Sequence, residues 1–353
     1  MSSIYSSLFW KFFERSGAQV VQFVVSIVLA RLLSPEDFGL IAIIMIFIQL
    51  ANVFVQTGFN SSLIQKKDAD SLDFSSVFWG SLAVSIVLYA LLFIAAPFIA
   101  FFYERPLLTP VLRVLGLTLF LGTVNSIQEA FIARNMMFKK LFFRSIGAAI
   151  PSGIIGITLD YIGAGVWALV AQQLSNMFLI CSIMWFTVKW RPQLRFSLER
   201  LKGLFSYGWK LLVSALLDVG YNNLRSLVIG KMFAPATLGF YTRGNQFPNI
   251  IVSNINASIQ SVMLPALSKE QDDLAKVKQM TRRAIMMSSF AILPMMSLLA
   301  ALAEPLVRFV LGEKWLPCVP FVQIYCLIYA LWPIPISNLS AVKAIGRSDI
   351  FLK

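Results

Sequence analysis

The sequence predicts an all-α polytopic membrane protein of about ten transmembrane helices, built as two parallel repeats, and three observations carry that prediction. Of its 353 residues, 58% are hydrophobic and 13% charged, and His is absent; a soluble domain carries about a quarter charged residues. Six stretches contain no Asp, Glu, Lys or Arg: Phe38–Gln65, Phe74–Tyr103, Tyr161–Val188, Gly244–Ser268, Ala284–Ala303 and Trp315–Val342. Each reaches the ~20 residues that carry a helix across a hydrocarbon core. Third, LARLLSPEDFGL at Leu29–Leu40 is echoed by IGKMFAPATLGF at Ile229–Phe240, 200 residues later.

Backbone polar groups in lipid must pair internally, which leaves helices or closed barrels. The runs lack the polar/apolar alternation of barrel strands, so they read as helices. TM1 occupies Phe12–Leu33 and stops before Ser34-Pro35, where TM2 begins. TM3 is the run from Phe74. TM4 spans Leu107–Ala133 and TM5 Phe142–Asp160; both are apolar cores flanked by charge. TM6 is the run ending at Val188. A basic KWRPQLR segment follows, and in SLERLKGLF (Ser197–Phe205) Leu198, Leu201 and Phe205 share one helical face. That pattern predicts a short interfacial helix before TM7. TM7 covers Ser206–Phe233, and the last three uncharged runs are TM8, TM9 and TM10.

Charge sets the orientation. The N-terminal side of this ladder holds Lys66, Lys67, Lys139, Lys140, Arg144, Lys189, Arg191, Arg195 and most other cations, about three to one over the opposite side. That bias in short loops places the N-terminus and the even-to-odd loops in the cytoplasm. The net charge of +13 is then a topology signal and an attraction to anionic headgroups, and no nucleic-acid partner is expected. Cys181, Cys318 and Cys326 sit in or beside apolar runs and have neither disulfide nor metal spacing; no cofactor or metal is expected. No Walker A, GxGxxG-then-acid or HExxH pattern occurs, and no enzyme activity is expected. A D-x-D at Asp68–Asp70 lies in a short basic loop and reads as a solvated acidic turn.

The corner is one part of a longer echo. Gln49, Gln56 and Asn60 match Asn249, Asn256 and Gln260 at the same offset, APFIAFFYERP (Ala96–Pro106) resembles EPLVRFVLGEKW (Glu304–Trp315), and IARNMMFKK (Ile132–Lys140) resembles AIGRSDIFLK (Ala344–Lys353). Six helices, an even number, separate the copies, so both run the same way, a known transporter plan. The N-lobe is then residues 1–200 with TM1–TM6, and the C-lobe residues 201–353 with TM7–TM10. The first copy continues past IARNMMFKK with two more helices, which predicts an incomplete second lobe with at least two helices to follow.

Polar residues recur at helical spacing inside four spans: Arg15, Gln19, Gln22 and Ser26 in TM1; Gln49, Asn52, Gln56 and Asn60 in TM2; Ser214, Asp218, Asn222 and Arg225 in TM7; and Thr242, Gln246, Asn249, Ser253, Asn256 and Gln260 in TM8. These are the first two helices of each repeat. Intramembrane polar and charged groups are costly and face a bundle interior or a wet path; ladders of them predict a shared cavity, whereas helix adhesion needs one or two amides. Arg15, Lys210 and Arg225 outnumber Asp218 there, which suits an anion bearing hydroxyls. Asp218 either titrates with transport or forms a structural ion pair with Arg225.

LARLLSPEDFGLIAI, VQTGFNSSLIQKKDADS and GFYTRGNQFPNIIVSNINASIQSVMLPALS resemble the polysaccharide exporters of the MOP superfamily, of the Wzx/WzxC type, over essentially the whole chain. The resemblance implies two MATE/MOP-like six-helix lobes around a central cavity and alternating access by lobe rocking. It also implies translocation of undecaprenyl-pyrophosphate-linked oligosaccharide across the bacterial inner membrane, alongside a polysaccharide polymerase and a chain-length regulator. A cation-coupled multidrug antiporter of the same superfamily would more naturally carry several deep carboxylates. A membrane glycosyltransferase or polymerase would need long periplasmic catalytic loops.

Overall fold

The computed structural model describes Gly17 and residues 19–65, 70–135, 137–270 and 273–345. Among them there is no strand. The helices are α1 (Gln19–Leu32), α2 (Pro35–Gln65), α3 (Ser71–Phe102), α4 (Leu108–Gly116), α5 (Thr118–Arg134), α6 (Phe138–Tyr161), α7 (Val166–Thr187), α8 (Leu198–Met232), α9 (Pro235–Lys269), α10 (Leu274–Ala301), α11 (Ala303–Val310), α12 (Val319–Ala330) and α13 (Pro333–Ala344), with a 3₁₀ turn at Glu313–Cys318. Seven spans among the described residues are long and apolar enough to cross a membrane. The ladders of polar residues lower the hydropathy of α8 and α9, although each is 35 residues long.

The surface confirms the solvent. Phe101 and Phe186 are each 85% exposed and Phe290 83%, whereas Ser75, Ser76, Ser81 and Ser85 of α3 are fully buried. Apolar side chains outside and small hydroxyls inside is the order that hydrocarbon imposes, because small residues let helices approach closely in lipid.

Local chemistry explains where helices start and stop. Before α2, Ser34 and Asp37 form a reciprocal cap: the Asp37 N–H donates to Ser34 Oγ at 3.2 Å and the Ser34 N–H to Asp37 Oδ2 at 3.1 Å, with Pro35 preset for a first helical turn. Asp70, the second Asp of the D-x-D, forms a capping box with Asp73 at the start of α3. TM4 is divided at Leu117 into α4 and α5. TM10 is divided into the 3₁₀ turn, α12 and α13, with Pro333 opening the last piece, as a residue lacking an N–H does.

The structure corrects one expectation. Ser197–Phe205 is no separate interfacial helix, because α8 runs unbroken from Leu198 to Met232. Its first turns are held on α3. Arg200 reaches Asp70 at 2.7 Å and Asp73 at 3.3 Å, and Leu201 sits so close to Gly80 that a Cβ there would lie 2.8 Å from its Cδ2. Arg144, counted by sequence among the cations at the cytoplasmic end of TM5, is buried and bonds Asn125 at 3.2 Å and also Glu129, tying α6 to α5.

The described residues group into two compact units, Met1–Leu238 and Gly239–Lys353. Backbone packing thus assigns α8 to the first unit, whereas the sequence echo divides the chain near residue 200. The echo has exact local counterparts. Helices α1 and α8 end with the same bond, Leu33 N–H to Leu29 and Phe233 N–H to Ile229, both 2.9 Å. Asp70 and Asp273 cap α3 and α10 alike. Glu104 (φ 58°) and Gly312 (φ 95°), equivalent in the YERP and LGEK turns, both adopt the left-handed conformation.

Candidate functional site

In the first unit, α2 and α8 run antiparallel in contact. At one end the echoed corners meet each other: a Cβ on Gly39 would lie 1.8 Å from the carbonyl oxygen of Pro235. Only a residue without a Cβ permits that approach. One turn further along, Gly230 lies against Ile43 and Tyr103. Tyr103 stands edge-on to Phe47 and donates its hydroxyl to the Leu227 carbonyl at 3.4 Å. Lys231 closes the flank, donating to the Phe102 carbonyl at 2.6 Å and to Glu104 at 2.9 Å. Its ammonium holds the Glu104 carboxyl below the usual carboxylate range. Glu36 pairs with Arg105 beside it at 3.5 Å.

Below this apolar seal the contact turns polar. Asn223 Nδ2 donates to Gln49 Oε1 at 3.3 Å across the two helices and to the Val219 carbonyl at 2.9 Å. Sequence spacing selected Asn222 and passed over Asn223, although both stand in YNNLR. The wheel puts Asn223 on the face with Val219 and Ser226 and Asn222 on the face with Asp218 and Arg225, but which face meets α2 is set by the partner helix.

That wheel gives α8 three faces, each about a third of the circumference. Val219, Asn223, Ser226 and Gly230 are partly or fully covered and include the contacts with α2. Leu217, Tyr221, Leu224 and Val228 are exposed and apolar. Ser214, Asp218, Asn222 and Arg225 are exposed and polar. On the polar stripe, Asn222 Nδ2 donates to Asp218 Oδ1 at 3.0 Å. No Asp218–Arg225 ion pair forms among the described residues; the two stand two turns apart on the same face.

The other expected site residues divide. Gln49 is exposed and Asn52 half-buried on α2; Gln22 is exposed and Gln19 half-buried on α1. Arg15 and the side chains of Gln56, Lys210 and Gln260 lie outside the described residues. In the second unit, Asn249 is exposed, Asn256 buried and Gln246 half-buried. Gln246 bonds the buried Arg243, whose guanidinium lies 5.9 Å from the Trp315 ring, and Asn245 accepts from Tyr329 at 2.7 Å. Part of the α9 ladder is thus spent on packing, and among its described members Asn249 is exposed. The three Cys are free and buried.

The fold is similar to solved transporters. The lipid II flippase MurJ in an inward closed conformation superposes with a TM-score of 0.77 at 16% identity, over 95% of this chain and 76% of that one. An inward-facing MATE family multidrug resistance transporter of the MOP superfamily gives 0.69 at 16% identity, over 96% and 85%. In sequence the chain is 24% identical to the succinoglycan biosynthesis transport protein ExoT of Rhizobium meliloti, over 97% of this chain and 69% of the relative. It is 26% identical to the lipopolysaccharide biosynthesis protein WzxC of Escherichia coli, over 92% and 67%. The teichuronic acid biosynthesis protein TuaB of Bacillus subtilis is 26% identical, over 85% and 62%; the chain therefore spans about two thirds of the length of these relatives. The polysaccharide biosynthesis protein family model matches residues 28–320, and with most of its length accounted for, the chain belongs to that family.

Proposed function

We propose that the protein moves an undecaprenyl-pyrophosphate-linked oligosaccharide from the cytoplasmic to the periplasmic leaflet of the bacterial inner membrane, for exopolysaccharide, O-antigen or capsule assembly. The observation that supports this most directly is the three-faced α8. A membrane helix that exposes Asp218, Asn222 and Arg225 beside a separate exposed apolar stripe offers a wet track next to lipid. A lipid-linked sugar needs that pairing, since its head must stay solvated while its polyprenyl tail stays in hydrocarbon. Arg15, Lys210 and Arg225 attract the pyrophosphate, since guanidinium matches phosphate oxygens bidentately. Gln19, Gln22, Gln49, Asn52, Gln56, Asn222, Asn249 and Gln260 supply amides that both donate to and accept from hydroxyls. The N-terminus is cytoplasmic, by the charge bias. A polymerase and a chain-length regulator act downstream. The relatives ExoT and WzxC, by their names, serve succinoglycan and lipopolysaccharide biosynthesis.

The test is the Arg15→Ala/Arg225→Ala double variant in a polymer-producing strain. Polymer output should fall to background while the protein inserts at wild-type level by immunoblot; normal output would remove the assignment.

A further inference from the structure

In the first unit, the end of α3 nearest Asp70 is covered by the segment that follows α7, and side chains of α3 hold that segment at two points. Gln193 donates its N–H to Ser75 Oγ at 3.0 Å and accepts from Trp79 Nε1 on its carbonyl at 2.8 Å. Four residues on, the Ser197 N–H donates to Ser76 Oγ at 3.0 Å. Trp190 and Leu201 pack from the covering segment onto the core of Phe74, Phe78 and Ile127. Between the two fixed points stand Leu194, Arg195 and Phe196, all exposed, Leu194 to 92%. With bonds to α3 on either side, the fold itself holds these three side chains out.

The length of α3 sets the depth at which they are held. Its 32 residues span ~48 Å at 1.5 Å per residue, against a hydrocarbon core of ~30 Å. The far end of α3 is apolar and exposed to its last turn, at Phe98, Phe101 and Phe102, so the surplus length falls at the Asp70 end. Counting about 20 residues back from Phe102 puts the hydrocarbon edge near Leu82. Trp79 and Ser76 then stand ~5–9 Å beyond that edge, in the headgroup layer, where Trp rings concentrate. The start of α8 keeps the same level, with Ser197 at Ser76 and Leu201 at Gly80. An exposed Leu and an exposed Phe held at that level border lipid headgroups.

Charge selects which headgroups. Residues 188–203 hold five cations and one anion, Glu199. Arg191 is spent on the Val188 and Trp185 carbonyls at the end of α7, and Arg200 on Asp70. Lys189, Arg195 and Lys202 are exposed and have no ion pair among the described residues. Basic side chains beside exposed Leu and Phe are what a segment bound to an anionic interface presents.

We propose that residues 194–196 form a wedge that seats the connection between α7 and α8 in a layer of anionic phospholipid. Leu194 and Phe196 enter the boundary between headgroups and acyl chains, and Lys189, Arg195 and Lys202 lay their stems along it with their charges on lipid phosphates. The interfacial element is thus the extended segment before α8 and not the start of α8 itself. The inference rests on the membrane-spanning fold and not on the cargo, and its test involves no transport, so the two readings fail separately.

The test places a bimane fluorophore on Leu194→Cys or on Phe196→Cys in the full chain; the native Cys181, Cys318 and Cys326 are buried. The vesicles hold phosphatidylglycerol and phosphatidylcholine in equal parts, with brominated acyl chains on one lipid or on the other, because bromine quenches a fluorophore only on contact. Both labels should be quenched, and brominated phosphatidylglycerol should quench at least about threefold more than brominated phosphatidylcholine. Adding Lys189→Gln/Arg195→Gln/Lys202→Gln should bring the two lipids to equal quenching. Absence of quenching by either lipid would place residues 194–196 in water or under another protein surface and overturn the proposal. Equal quenching by both lipids in the chain with its cations intact, or an undiminished preference without the three cations, would overturn it as well.

Discussion

At the scale of single residues, the tightest constraint is Gly39. The obstacle to a side chain there is the Pro235 carbonyl, a backbone atom that cannot rotate away. Gly39→Ala therefore has to push the start of α9 from α2, and overpacking of that kind costs about 1–3 kcal/mol. Gly220 gives the contrast: it sits within α8 with nothing within 4 Å of its would-be Cβ. There alanine should stabilise by up to ~1 kcal/mol through helix propensity alone. Thermal unfolding in detergent should show a lower Tm for Gly39→Ala and an equal or higher one for Gly220→Ala; equal Tm values for both variants would mean that the corner contact carries no weight. Asn223 is a milder case. An interhelical amide bond in a membrane is worth about 0.6–2 kcal/mol, so Asn223→Leu should lower stability modestly and leave the exposed stripe intact.

At the scale of elements, the covering segment of the first unit is an acid-sensitive fastening. The Asp73 N–H, and then Arg200, hold the Asp70 carboxyl below the ordinary Asp range. A carboxyl with a lowered folded pKa contributes stability above its unfolded pKa and loses it as pH falls through the folded one. The window therefore lies below about pH 4. Arg200 is raised by the same partners and stays charged throughout. Hydrogen exchange of residues 192–200, corrected for intrinsic rates, should accelerate in wild type as pH drops through that window. Asp70→Asn keeps a capping side chain but not the charge, so it should exchange faster at neutral pH and show no acid step. This fastening was only half legible in the sequence. Leu198, Leu201 and Phe205 gave an amphipathic pattern that fits an interfacial helix and the first turns of a long one equally well. What decides between them is Leu201 against Gly80 and Arg200 against Asp70, contacts some 120–130 residues apart in the chain. Helix existence, the corner and its capping were readable because they depend on neighbours in sequence. The breaks in TM4 and TM10, the buried Arg144 and the choice of Asn223 over Asn222 were not, because each depends on a partner helix that periodicity does not name.

At the scale of the whole molecule, the question is where lipid ends and water begins, and the proposed function requires that boundary to run along α8. Its stripes are set by a one-residue step: Leu217, Tyr221 and Leu224 lie about 100° around the axis from Asp218, Asn222 and Arg225. All six are exposed. If both stripes faced lipid, Arg225 and Asp218 would each carry an insertion penalty of about 2.5–3.5 kcal/mol with no ion pair to offset it. If both faced water, the apolar stripe would be the anomaly, including Tyr221 at 72% and Leu217 at 69% exposure. One medium on each side removes both costs. Single Cys replacements along the helix test the boundary directly, since the native Cys181, Cys318 and Cys326 are buried and give little background. A charged, membrane-impermeant thiol reagent should label Asp218→Cys, Asn222→Cys and Arg225→Cys at least about tenfold faster than Leu217→Cys, Tyr221→Cys and Leu224→Cys, because thiolate forms only where water reaches. A lipid-soluble reagent should reach the second set. Uniform rates around the helix would mean that α8 borders a single medium, and the wet track that the transport reading needs would have no wall.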